Sequence, residues 1–175
     1  AGFFAWRDRA DWRRNNVDKL VRDLYATVHA IKPWVKVGIS PFGVGRPDQR
    51  PSGITGFSQY DKLYANVERW LRAGWLDYLA PQLYWPIDRE AQSFPVLLDY
   101  WASENWHGRH LWPGLFTSRI DDSEKSWQPD EIRRQIGVQR ASPSSTGHIH
   151  FSAAALVQDR RGIADLLVRT TYGNW

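Results

Sequence analysis

The chain has 175 residues, enough to bury one sizeable core and too few for two ordinary domains, so residues 1–175 read as a single domain. With 42% hydrophobic and 24% charged residues it falls among folded globular chains, which excludes disordered, collagen-like and coiled-coil classes. The net charge of +4 comes from 23 basic residues, 18 of them Arg, interleaved with 19 acidic ones and forming no basic block; no nucleic-acid partner is expected.

No apolar run approaches the roughly 20 residues of a membrane span, so no membrane span is expected. Ala1-Gly2-Phe3-Phe4-Ala5-Trp6-Arg7 lacks the charge-then-apolar order of a signal peptide, and an opening Ala without Met reads as a cut or processed chain. The absence of Cys removes disulfides, thiolate metal sites and Cys nucleophiles, and no cofactor is implied. The 11 Trp, with 7 Tyr and 7 Phe, exceed what a core of this size needs and suit a cleft that stacks the flat apolar faces of a ligand such as a sugar.

The first predicted element is a helix capped by Asp11 and ended by Pro33, with Val17, Leu20, Val21, Leu24, Val28 and Ile31 spaced to form one buried stripe. Val35 to Ser40 alternates and is β-branched, so it reads as a strand running into the Pro41-Phe42-Gly43 turn. A Gly/Pro-rich loop from Gly43 to Ser58 leads to a helix from Tyr60 to Ala73, with Leu63, Val67, Trp70 and Leu71 on one face. A strand from Leu76 to Trp85, a helix from Phe94 to Ser103 and a strand from His110 to Thr117 follow. The next helix, Pro129 to Arg140, starts on a proline at its first position. A strand from Gly147 to Ala153 and a closing helix from Gly162 to Thr171 complete the order.

Each strand is followed by one helix, the alternation that gives a parallel sheet with right-handed crossovers. One strand face collects Val35, Val37, Ile39, Leu79, Leu83, Leu111, Leu115, Ile149 and Phe151, and is apolar throughout. The other face carries Lys36, Gly38, Ser40, Tyr78, Ala80, Gln82, Tyr84, Trp112, Gly114, Phe116, His148, His150 and Ser152. A polar and aromatic second face fits the interior and mouth of a (β/α) barrel better than an open doubly wound sheet, which needs both faces apolar. A closed barrel takes eight strands and typically about 250 residues. The four βα units here therefore read as α/β, half of a TIM barrel, or else as a small open α/β sheet.

The run Asp11-Trp12-Arg13-Arg14-Asn15-Asn16-Val17, the turn Val37-Gly38-Ile39-Ser40-Pro41-Phe42-Gly43 and the strand Leu76-Asp77-Tyr78-Leu79-Ala80-Pro81-Gln82-Leu83-Tyr84-Trp85-Pro86-Ile87 carry a resemblance. They resemble a bacterial family of glycosyl-hydrolase-like proteins related to family-10-type glycosidases, and His148-Ile149-His150-Phe151-Ser152 is similar to that family's last barrel strand. The resemblance covers nearly the whole chain. It implies the C-terminal half, strands five to eight, of a (β/α)8 barrel acting on bacterial cell-wall glycan, in the cell envelope or secreted. The chain departs from the family at Ala153-Ala154-Ala155, where a bulkier residue and a Lys would be expected.

Glycoside hydrolysis ordinarily uses two carboxyl groups, one protonated to serve the leaving oxygen and one ionised as nucleophile or base. In a barrel they sit at the C-terminal ends of strands or just beyond. Those ends here carry Ser40, Tyr84 with Trp85, Thr117 and Ser152, none of them acidic. The nearest catalytic candidates are Asp88, Asp121 and Asp122, the latter two also readable as a solvated or helix-capping pair; the principal acid is expected in the missing half. Asp77 lies at a strand's N-terminal end and reads as structural.

The substrate-binding candidates are Trp12, Arg13 and Asn16 on the first helix, with Ser40, Phe42, Gln82, Tyr84, Trp85, His150 and Ser152 at the strand mouths. Aromatic rings would meet sugar C–H groups, and the amide, imidazole and hydroxyl groups would meet sugar hydroxyls. Tyr84 and Trp85 read equally well as core. His148 and His150 share a face, but without a visible third ligand they read as interior histidines or sugar contacts, and no metal is expected. Three readings follow: a glycosidase-type barrel segment, a non-catalytic glycan-binding module, and an open-sheet small-molecule enzyme. The half-barrel count implies a partner, either the missing N-terminal half or a second copy in a homodimer.

Overall fold

A 23-residue helix, α1 (Arg9–Ile31), opens the described part of the chain, which runs from residue 8 to residue 173 in this computed structural model. The segment compared with a signal peptide, residues 1–7, lies outside the described residues. The cap of α1 is Asp8, not Asp11: the Asp8 carboxylate accepts from the Asp11 N–H at 2.7 Å, while Asp11 holds Arg14 across the first turn. Val17 and Val21 pack on the core, and between them the buried Asp18 accepts from Trp70 Nε1 and Arg69. Leu20, Leu24 and Ile31 do not join that face, and all three are more than half exposed. The apolar stripe read from spacing is thus wider than the surface the core offers.

Five short strands follow: β1 (Gly38–Ile39), β2 (Tyr78–Leu79), β3 (His110–Leu111), β4 (Gly114–Leu115) and β5 (Ile149–His150). All pairings are parallel, in the orders β1-β2-β3 and β4-β5. Bridges from Phe42 to Gln82 and from Gln82 to Gly114 connect the two ladders. The strand expected from His110 to Thr117 is broken at Trp112-Pro113, where Pro113 has no N–H for a ladder bond, and it ends in a 3-10 turn over Thr117–Arg119. The result is a mixed α/β fold whose parallel strands are compatible with part of an α/β barrel.

The helix expected from Tyr60 to Ala73 is two shorter ones, α2 (Gln59–Lys62) and α3 (Val67–Arg72), separated at Tyr64, whose φ of 56° no helix tolerates. By contrast α4 (Phe94–Glu104) and α5 (Pro129–Ala141) match their expected spans closely, each with proline in its first turn. The last strand ends before Ser152, and Ala153–Val157 forms α6, so Ala153 is helical. The closing helix is a 3-10 turn over Arg160–Gly162, then α7 (Ile163–Leu167), then a π turn to Tyr172. Leu79, Leu83, Leu111 and Leu115 meet Phe94, Leu97, Trp101, Ile132 and Ile136 from α4 and α5 in one fully buried core.

The last strand departs most from expectation. Ile149 and Phe151 are 40% and 49% exposed and lie on the open side, while His148 and His150 point back to the helices. A one-residue slip exchanges the two faces of a strand. The cause is visible in the polar groups waiting behind the sheet: Gln139 of α5 bonds His148 Nδ1 at 3.0 Å, Thr117 bonds His150 Nδ1 at 2.7 Å, and Tyr172 reaches both Nε2 atoms. These partners satisfy two imidazoles that two aliphatic side chains could not use.

At the opposite end of the strands, Asp77 is structural as expected. It accepts from the Val37 N–H at 2.8 Å and faces His29 at 3.1 Å, tying α1 and β1 to the start of β2.

Candidate functional site

The open side of the sheet is built from residues too small to fill it and rings laid across them. A Cβ on Gly38 would stand 2.1 Å from Tyr78 Cζ, and one on Gly114 would stand 3.0 Å from the Tyr84 ring, so both tyrosines depend on glycine beneath them. Tyr78 stacks on Trp112 at 4.8 Å, and Trp112 on His110 at 5.1 Å, toward the N-terminal ends of the strands. Toward the C-terminal ends, Tyr84 stacks on Phe151 at 5.4 Å and packs against Phe116 at 5.1 Å. Between the rings lies a cavity of about 240 Å³ with Ser40, Tyr78, Ala80, Tyr84 and Phe151 in its wall.

No carboxylate lines this cavity among the described residues. Its titratable lining is Tyr78, Tyr84 and His150. Burial raises the Tyr84 phenol above its ordinary value, so it stays protonated at neutral pH as a hydrogen-bond donor, and burial lowers His150. The Gln82 amide donates to the Ser40 carbonyl at 3.1 Å and reaches the Ser40 hydroxyl at 3.4 Å, which places both expected polar residues together at the mouth. Phe42 stands beside Gln82 through their bridge, 40% exposed, with its ring 4.6 Å from that of Phe57. Ser152 joins the 3-10 turn after β4: its N–H donates to Ser118 Oγ at 2.8 Å, and the two hydroxyls are 3.1 Å apart.

The first-helix candidates occupy the same end of the strands. Arg13 donates to the Tyr64 hydroxyl and its guanidinium lies 4.9 Å from that ring's centroid, so the N-terminal turns of α1 adjoin the segment that follows β1. Trp12 is half-buried there and Asn16 is exposed. None of the three borders the cavity.

The acidic candidates stand apart from the aromatic wall. Asp88 has an 80% exposed side chain and meets Arg134 at 3.5 Å. Asp121 accepts from the Ser123 N–H and hydroxyl, and these bonds hold its carboxyl below the ordinary range; it is a turn-forming, ionised group rather than a proton donor. Asp122 is exposed. His150 contributes to the cavity lining, but both of its ring nitrogens are engaged, Nδ1 with Thr117 and Nε2 with Tyr172. Among the described residues there is no cluster of three or more metal-ligating side chains, and His148 and His150 are satisfied by their neighbours.

Trp85 is half-buried against the core, and its carbonyl accepts from Gln135 Nε2 at 3.0 Å. Trp85→Ala is therefore expected to cost about 2 kcal/mol of stability, less than full burial would imply. Paired thermal melts and glycan titrations check this; an unchanged melt with weakened binding would return the ring to the cleft.

Several contributors had no sequence signal. Phe151 was assigned to the wrong face, Phe57 sat in a loop, and Ser118 and Tyr172 act through long-range contacts. Only a correct parity for β5 could have placed Phe151 beside Tyr84.

Comparison with known proteins bears on this geometry. Residues 3–133 match the family model described as glycosyl hydrolase-like 10. The chain is 40% identical over 169 residues to the glycosyl hydrolase YngK of Bacillus subtilis strain 168, covering 93% of this chain and 33% of that protein. It is 36% identical over 159 residues to the glycosyl hydrolase DigH of Escherichia coli K12, covering 84% of this chain and 36% of that protein. The chain thus spans about a third of the length of the curated relatives it matches.

Proposed function

The chain belongs to the glycosyl hydrolase-like 10 family, and from that premise we propose that it is the C-terminal half of a TIM-type barrel, strands five to eight, that acts on bacterial cell-wall glycan strands. The observation that carries the reading is the open aromatic face: Tyr84, Phe116 and Phe151 present ring surfaces at the C-terminal ends of parallel strands, beside the Gln82 amide and the Ser40 hydroxyl. Sugars offer alternating C–H faces and hydroxyl edges, and this wall matches both.

The chemistry needs two carboxyl groups near the bond to be cut. With no carboxylate in the cavity wall, the principal acid belongs to the other half of the barrel. Asp88, Asp121 and Asp122 remain the reserve carboxylates of this half. The absence of an acid here also favours one second reading, a glycan-binding module without catalysis. Work on cell-wall glycan places the protein in the envelope or outside the cell.

The test is incubation of purified, peptide-free glycan strands with the chain alone and with the chain joined to the remaining segment of a relative, with products read by mass spectrometry. The chain alone is expected to release no short saccharides and the joined protein to release them. Cleavage by the chain alone would overturn the division of labour and return the carboxyl roles to Asp88, Asp121 or Asp122, with Asp121 as the ionised partner. Binding without cleavage by the joined protein would establish the second reading.

A further inference from the structure

Phe42 and Phe57 are 40% and 44% exposed, their ring centroids are 4.6 Å apart and their planes are inclined by 44°. Exposed phenylalanines are unremarkable singly; a pair whose backbone is held in place on both sides calls for an explanation. Gln59, only 3% exposed, clamps Phe42 from beneath: its Oε1 accepts from the Phe42 N–H at 2.9 Å and its Nε2 donates to the Phe42 carbonyl at 3.2 Å.

The Phe57 loop is fixed as firmly. Gln92 Nε2 donates to the Thr55 carbonyl at 2.7 Å, the Thr55 N–H donates to the Ala91 carbonyl at 2.9 Å, and Arg50 reaches the Gly56 carbonyl at 3.3 Å. Two separate sets of hydrogen bonds therefore fix the backbone at Phe42 and just before Phe57, the two residues whose rings stand exposed. Burial on the core would have been the more favourable place for them.

We infer that Phe42 and Phe57 together form a sugar-stacking platform at the rim of the cleft, taking one pyranose ring of the glycan strand beyond the Tyr84 wall. The inference rests on the reading of the open face as a glycan site and adds an outer subsite to it. The bridge between Phe42 and Gln82 sets the platform next to the Gln82 amide and the Ser40 hydroxyl, so a sugar stacked on the rings has its hydroxyl edge facing hydrogen-bonding groups. A pre-formed platform also spares the ordering cost that mobile rings would incur on binding.

The experiment is calorimetric titration of the joined protein with a soluble tetramer of N-acetylglucosamine, comparing the parent with Phe57→Ala, Phe57→Leu and Phe57→Trp, each checked by a thermal melt. Phe57→Ala and Phe57→Leu are expected to weaken binding about five- to tenfold with unchanged melts, because one loses the surface and the other its flatness. Phe57→Trp is expected to retain it. Trp106→Ala serves as a control, since this 70% exposed ring precedes β3 at the opposite end of the strands and should not matter. Parent-like binding by Phe57→Ala or Phe57→Leu would overturn the platform and leave the glycan site intact. Failure of the parent to bind any tetramer would overturn both.

Discussion

Acidification from about pH 7.5 to about pH 4.5 is expected to lower the melting temperature by about 6 °C through the histidine pair behind the sheet. The hydrogen bonds there assign one direction. Gln139 uses its Nε2 on the Ser145 carbonyl, so its Oε1 accepts from His148 Nδ1–H. His148 Nε2 then accepts from the Tyr172 hydroxyl at 2.6 Å, Tyr172 accepts from His150 Nε2–H at 3.2 Å, and His150 Nδ1 accepts from Thr117 at 2.7 Å. The chain closes only with both imidazoles neutral.

Burial, then the neighbouring His150 and Arg140, pushes His148 down to about 4, and burial lowers His150 as well. Because the folded values lie below the unfolded value of about 6.5, the unfolded chain takes up the protons first. The stabilisation is complete above about 6.5 and is lost as pH falls toward the folded values. For His148 it amounts to roughly 2 kcal/mol once the water reaching the half-buried ring is allowed for. Asp18 acts in the opposite sense, since burial raises its carboxyl and acid stabilises its protonated form. Melts of the parent and of His148→Gln across this range separate the two. A slope unchanged in the variant would rule the histidine out.

What the sequence disclosed depended on how local each cause was. Proline at the start of α4 and α5 is a local signal, and those helices stand where their patterns put them; the buried leucines of β2 to β4 fix which face meets the core, while the strands themselves are shorter than their patterns and the third is split at Trp112-Pro113. The break between α2 and α3 turns on the backbone of Tyr64, which no periodicity records. Strand parity in β5 was decided by Gln139, Thr117 and Tyr172, three partners distant in sequence or on another element. An alternating pattern of Ile149 and Phe151 against His148 and His150 contains no term for them.

The candidate site divides in the same way. Ser40, Phe42, Gln82 and Tyr84 follow from strand ends and a pattern of period two, and they gather at one rim. Phe57 arrives there through a loop held by Gln92 and Arg50, and Phe151 through the slipped strand. Trp85 shares the parity of Leu79 and Leu83 and packs with them on the core side, which the strand-end reading of it as a cleft residue overlooked.

At micromolar concentration the chain on its own is expected to elute from gel filtration as a dimer or larger species, and the joined protein as a monomer. β1 pairs only with β2 and β5 only with β4 among the described residues, so each has an outer edge without a strand. α1, which precedes β1, also carries an exposed apolar stripe, with Leu20 at 67%, Leu24 at 53% and Ile31 at 69%, and Trp34 before β1 is 75% exposed. Phe151 and Ile149 flank the second edge. An exposed apolar helix stripe and an open strand edge are both surfaces that a further helix and strand would cover in a longer chain. Without them a second copy offers the same kind of cover, through a self-complementary contact well above the roughly 1,000 Å² of a specific interface. Light scattering on the eluting peak gives the mass. Leu20→Glu with Leu24→Glu should raise the monomer fraction at little cost to the melt, since neither side chain is buried. A parent that elutes as a monomer and melts cooperatively would show that these edges and this stripe need no partner, and the half-barrel reading would fall with it.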